Sequence, residues 1–158
     1  MVSLLDVNTL VALAWPNHVH YAAAHTWFER HHTDGWATCP LTESGFVRVS
    51  SNPAATREAK TPGEAVLLLR RMVDLPGHVF WDDSTSLARS EDLPLERLTG
   101  HQQVTDAHLL LLTIQHRGQL VTFDTGLRQL IPPNYEDDLL TILSTMQVLG
   151  STSSTRIT

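Results

Sequence analysis

The chain is poor in cysteine, in positive charge and in long apolar runs. Its single cysteine, Cys39, has no partner for an intramolecular disulfide, which points to a reducing compartment. Cys39 lies in WATCPL and reads as a small buried residue rather than a reactive thiol. Lysine and arginine number 11 against 17 aspartates and glutamates, a formal net charge of −6. That argues against a protein that holds nucleic acid by bulk electrostatics alone. It does not exclude negative charge gathered in one metal-binding pocket. The longest apolar runs, AVLLL at 65–69 and LLLL at 109–112, fall far below the about 18 residues needed to span a bilayer. MVSLLDVNTL has neither a basic region ahead of an apolar stretch nor a small-residue cleavage site, so it does not read as a signal peptide. The expectation is a soluble, cytoplasmic protein with no membrane partner.

What is present suits one globular domain. The 158 residues are 42% hydrophobic and 18% charged, enough to build a substantial core. The expected domain covers 1–150, with STSSTRIT at 151–158 as a polar, disordered tail. Short apolar runs at 2–5, 36–39, 78–81 and 119–123 read as buried strands, and LLTIL at 139–143 as a further one. Helical patterns lie between them at 9–15, 18–32, 41–49 and 61–75. A short helix at 84–90 is expected to be capped by Ser84 or Thr85, and a strong one to follow Thr105 as its cap. Pro40 opens the third helix, Thr61 with Glu64 forms a capping box, and Gly118 stops the helix that Thr105 starts. Alternation of this kind predicts an α/β fold with a central, mainly parallel sheet flanked by helices.

Four acidic residues stand at the edges of the apolar runs: Asp6 in LLDVNTL, Glu43 in PLTESGFVRVS, Asp106 in QQVTDAHLLLL and Asp124 in LVTFDTGL. Asp6 and Asp124 fall at the carboxyl ends of strands, where open parallel sheets bind ligands. Two carboxylates about 4 Å apart repel by roughly 4 kcal/mol at an effective dielectric of 20. Four converging in one pocket would need a cation, or several would carry raised pKa values. Each residue also has an ordinary structural role open to it: an aspartate at a helix start caps it, and one at a strand end forms a turn. Oxygen-only ligands favour Mg²⁺ or Mn²⁺ over zinc, and the chemistry such ions support is phosphodiester hydrolysis.

LLDVNTLVAL, TESGFVRVSSNP and VTDAHLLLLTIQHRGQLVTFDTGL, in this order over roughly 2–131, resemble the motifs of PIN-domain ribonucleases, and most of all the VapC-type toxins of toxin–antitoxin systems. The resemblance implies a PIN-like fold and a metal-dependent endoribonuclease that cuts structured cellular RNA. It makes Asp6 and Asp106 the chief magnesium ligands, with Glu43 and Asp124 completing the pocket directly or through water. It also implies a homodimer and a small antitoxin that covers the site. Alternatives are a PIN nuclease of RNA processing, a degenerate PIN domain that only binds, and an aspartyl-nucleophile phosphatase. Retention of all four acidic positions argues against degeneracy. The phosphatase would want a second aspartate where Asn8 stands.

Other residues have roles that depend on this site. Asn8 and Thr9 orient Asp6 or a metal-bound water, with helix capping an equal alternative for Asn8. Thr105 caps its helix or bonds Asp106. Thr122 and Thr125 flank Asp124 and are expected to bond its carboxylate. Arg48 points away from Glu43 on an ideal helix. His18, His25 and His32 recur every seven residues, too far apart along a helix for one zinc ion, so they read as a half-buried helix face. His108 reads as structural. Trp15, Trp27, Trp36 and Trp81 read as core rather than base-stacking platforms.

Overall fold

The computed structural model describes residues 1–135 and 138–145. The tail expected at 151–158 lies outside them. Five short strands form one sheet: β1 (Ser3–Leu5), β2 (Trp36–Thr38), β3 (His78–Phe80), β4 (Gln119–Thr122) and β5 (Leu140–Ile142). Their order is β3-β2-β1-β4-β5, and every neighbouring pair is parallel. The α/β expectation with a parallel sheet therefore matches the fold. β1 takes the central place and pairs with β2 on one side and β4 on the other.

The sheet separates two cores, and strand alternation decides which residue joins which. Leu4, Ala37 and Leu120 face one cluster, with Leu109, Leu110 and Leu112 from helix α5 (Gln103–Gln115). Leu5, Trp36 and Val121 face the other. That second core is closed by α1 (Val7–Ala14), α2 (Tyr21–His31), α3 (Pro40–Ser50) and α4 (Pro62–Val73). All four tryptophans are buried, as is Cys39, and each fully buried leucine contributes about 1.5–3 kcal/mol.

Several local expectations need correction. α1 begins directly after Asp6, which caps it, so Asn8 is an exposed helical residue and not the cap. α2 starts at Tyr21 and excludes His18. No helix forms over 84–90. The Asp83 carboxylate instead takes the Thr85 N–H, while Ser84 and Thr85 hydrogen-bond to Gln115 across 30 residues or more of chain. α5 starts at Gln103, whose own side chain accepts N–H groups from Thr99 and Gly100, so Thr105 is an exposed residue of the first turn rather than the cap.

Gly118 is also not a left-handed helix stop; Arg117, with φ of 53°, takes that conformation. The glycine is needed for space. A Cβ there would lie 2.4 Å from the Trp81 ring and 2.6 Å from the Val2 carbonyl oxygen. Gly118→Ala is expected to destabilise the fold by about 1–3 kcal/mol through overpacking. Gly100→Ala, with nothing within 4 Å of the added carbon, is the control in the same thermal melts.

Candidate active site

Asp6 follows the last residue of the central strand, and it is 4% exposed. Its Oδ1 accepts the Thr9 N–H at 2.7 Å, which starts α1, and its Oδ2 accepts the Thr122 hydroxyl at 2.6 Å. Its own N–H donates to the Val121 carbonyl at 3.1 Å, and the Thr9 hydroxyl donates to the same carbonyl at 3.2 Å. One carboxylate is thus fixed against β1, α1 and β4. Burial raises its pKa, and the charge of Asp124 adds to this, against hydrogen bonds from Thr122 and Thr9.

Asp106 stands in the first turn of α5, where the helix dipole favours negative charge. Its pKa is nevertheless pushed up to about 6, first by burial, then by the charges of Asp6 and Asp124. Asp124 is exposed and caps the 3-10 turn Thr125–Leu130, with Oδ1 accepting the Gly126 N–H at 2.7 Å. Its backbone N–H donates to the Thr122 hydroxyl at 3.0 Å. Thr122 therefore bonds the carboxylate of Asp6 and the backbone of Asp124, rather than the Asp124 carboxylate as expected.

Glu43 stands in the first turn of α3, the helix that follows β2. It accepts the Thr38 hydroxyl at 2.7 Å, and Thr38 in turn meets His78 Nε2 at 2.8 Å. Its charge is felt by His78 and is not among those that act on Asp6 or Asp106. The structure thus brings Asp6, Asp106 and Asp124 into one electrostatic neighbourhood, whereas Glu43 engages Thr38 and His78. Among the described residues, no three or more His, Cys, Asp or Glu side chains close into a ready cation cage. Thr38 and His78 were not anticipated. A polar residue ending a buried strand was the one available signal for Thr38.

The histidines find separate partners. His25 Nε2 meets the Leu13 carbonyl at 2.9 Å, His31 Nδ1 that of Trp27 at 2.7 Å, and His32 Nδ1 that of Phe28 at 2.9 Å. A carbonyl only accepts, so each of these nitrogens carries its proton. His31 and His32 bond carbonyls of the last turns of α2. His108 Nε2 pairs with Asp83 at 2.6 Å and pins the segment after β3 to α5.

Asp6 and Asp124 thus stand at the carboxyl edge of a parallel sheet, and Asp106 is coupled to both by charge. The PIN domain model matches residues 3–131, and the chain belongs to that family. It is 46% identical to Ribonuclease VapC39 of Mycobacterium tuberculosis (strain ATCC 25618 / H37Rv), over 80% of this chain and 91% of that protein. It is 48% identical to Ribonuclease VapC38 of the same strain, over 90% of this chain and 100% of that one. Among solved structures, it resembles a chain of VapBC2 from Rickettsia felis, crystallised bound to a DNA fragment from their promoter. There the TM-score is 0.61 at 16% identity, covering 91% of this chain and 100% of that chain, a likeness of fold. Among the described residues, no helix is long and apolar enough to cross a membrane.

Proposed function

We propose that this chain is a metal-dependent endoribonuclease, the toxin of a type II toxin–antitoxin pair, which hydrolyses phosphodiester bonds in structured RNA of the cytoplasm. The observation that carries this reading is Asp106, pushed up to about 6 partly by two other aspartates. A chain that keeps three carboxylates in mutual repulsion gains most from a cation placed among them. The donor set fits Mg²⁺ or Mn²⁺, because the coupled groups offer oxygen alone. An open arrangement suits an ion that keeps several of its waters.

Asp6 is the main ligand, since Thr9 and Thr122 leave its carboxylate a single orientation. Asp106 is the second and must lose its proton to bind. Asp124, which is exposed and caps the following turn, acts through water. Glu43 likewise completes the pocket through water. A bound ion would lower the pKa of a coordinated water and stabilise the developing charge on phosphate. The identity to proteins named as VapC ribonucleases supports RNA as substrate. The likeness to a VapBC2 chain supports an antitoxin as partner, and a second copy of the chain completes the expected assembly.

The test is RNA cleavage by purified protein, with Mg²⁺ and with chelator. Loss of cleavage in chelator and its return on adding Mg²⁺ or Mn²⁺ are expected. Undiminished cleavage in chelator would overturn the metal mechanism. Growth arrest on expression, relieved by co-expressing the protein encoded beside it, checks the toxin assignment.

A further inference from the structure

Thr38 ends β2 and is fully buried. A threonine hydroxyl has one proton to give and two lone pairs to offer. Thr38 gives its proton to Glu43 Oε1 at 2.7 Å. Its contact with His78 Nε2 at 2.8 Å must then run the other way, with the imidazole donating. The three groups form a directed chain: His78 Nε2–H to the Thr38 oxygen, and the Thr38 O–H to Glu43. The ring itself is held by Trp36, which meets it edge-on at a centroid distance of 4.7 Å. His78 and Thr38 lie on adjacent, parallel-paired strands, so the sheet register sets their spacing. Among the described residues, Glu43 Oε2 has no hydrogen-bond partner from the protein, and it is not a buried orphan.

We infer that Thr38 and His78 are positioning residues for Glu43, which hold one carboxylate oxygen and leave the other for the water or substrate of the acidic site. This rests on the reading of Glu43 as part of that site. The arrangement is the one metal centres use to aim an outer carboxylate, and loss of such a partner lowers affinity or activity by about 10–100-fold. Thr38→Val keeps the shape and strand preference of the residue and removes only the hydroxyl, so the fold should survive.

The experiment has arms that separate this inference from the nuclease reading. Nitrogen-15 NMR of the wild-type protein is expected to show His78 as the Nε2–H tautomer; an Nδ1–H tautomer would overturn the chain of donors. Thr38→Val is expected to lower Mn²⁺ affinity by calorimetry, and kcat for RNA cleavage, by about tenfold, with KM little changed. Thr38→Ser should restore both to within about twofold. In a Glu43→Ala background, Thr38→Val should add nothing to either loss. Equal damage from the serine and valine variants, or an undiminished effect without Glu43, would sink the inference. Failure of the wild type to cleave RNA would instead sink the nuclease reading, and the NMR and Mn²⁺ arms would still decide this one.

Discussion

Replacing Asp6 with asparagine is expected to remove RNA cleavage and to leave the protein at least as stable. The two effects have one origin. Asp6 is buried just beyond the central strand, and its charge is disfavoured by that burial and by Asp124. Asparagine keeps an oxygen for the Thr9 N–H, and its amide can donate to the Thr122 hydroxyl that formerly donated to Asp6. The packing is retained while an unfavourable charge disappears. Activity should drop by about 10²–10³-fold, the usual scale for losing one preorganised electrostatic element. The melting temperature should rise, at roughly 2–4 °C per kcal/mol gained for a chain of this size. Gel-based cleavage and thermal melts check the pair. A variant that loses activity and also melts well below the wild type would show that Asp6 is a structural cap first. Such a trade of stability for function is common where like charges share a site.

The second large effect is on pH. The folded-state pKa of Asp106 is raised from 3.8 to about 6. The folded protein therefore holds this proton more tightly than the unfolded chain does. The associated stability is complete below about pH 4 and is lost as pH rises through about 6. Asp6 shifts in the same direction. His18 and His78 have lowered values, so they act oppositely, costing stability as pH falls below their unfolded range. Comparison with Asp106→Asn isolates the aspartate: the wild type should lose ground to the variant between pH 4 and 6 in metal-free buffer. Mg²⁺ should abolish that difference. Its binding at pH 6 should release about half a proton from Asp106, because a carboxylate must be ionised to bind. Calorimetry in two buffers of different ionisation enthalpy measures this. Binding without proton release would place the ion away from Asp106.

The parts of the fold legible in the sequence were those set by local rules. Short apolar runs ending in aspartate gave β1 and β4. Thr61 and Glu64 satisfy each other's backbone N–H groups as the capping-box spacing requires, and Pro40 opens α3. What the sequence concealed was set by distant partners. Ser84 and Thr85 are good caps in isolation, but their side chains bond Gln115 instead. Gly118 looked like a conformational stop, whereas its need is clearance beneath Trp81. At the site, the acidic positions were visible and their ranking came from family motifs. The hydrogen bonds that aim them, Thr122 to Asp6 and Thr38 to Glu43, depend on strand neighbours that no local pattern reveals.

The bond between Thr122 and Asp6 spans 116 positions of the chain. The strands it links, β1 and β4, are neighbours at the centre of the sheet, yet β1 is made long before β4. While β4 is still inside the ribosome, Asp124 is held back with it, Asp6 has no hydroxyl to orient it, and β1 lacks one of its two neighbours. Non-local pairings of this kind also close slowly, because the loop entropy must be met before the contacts form. A nascent chain therefore holds Asp6 without Thr122 and Asp124 until β4 has left the ribosome, and the three aspartates couple only after that.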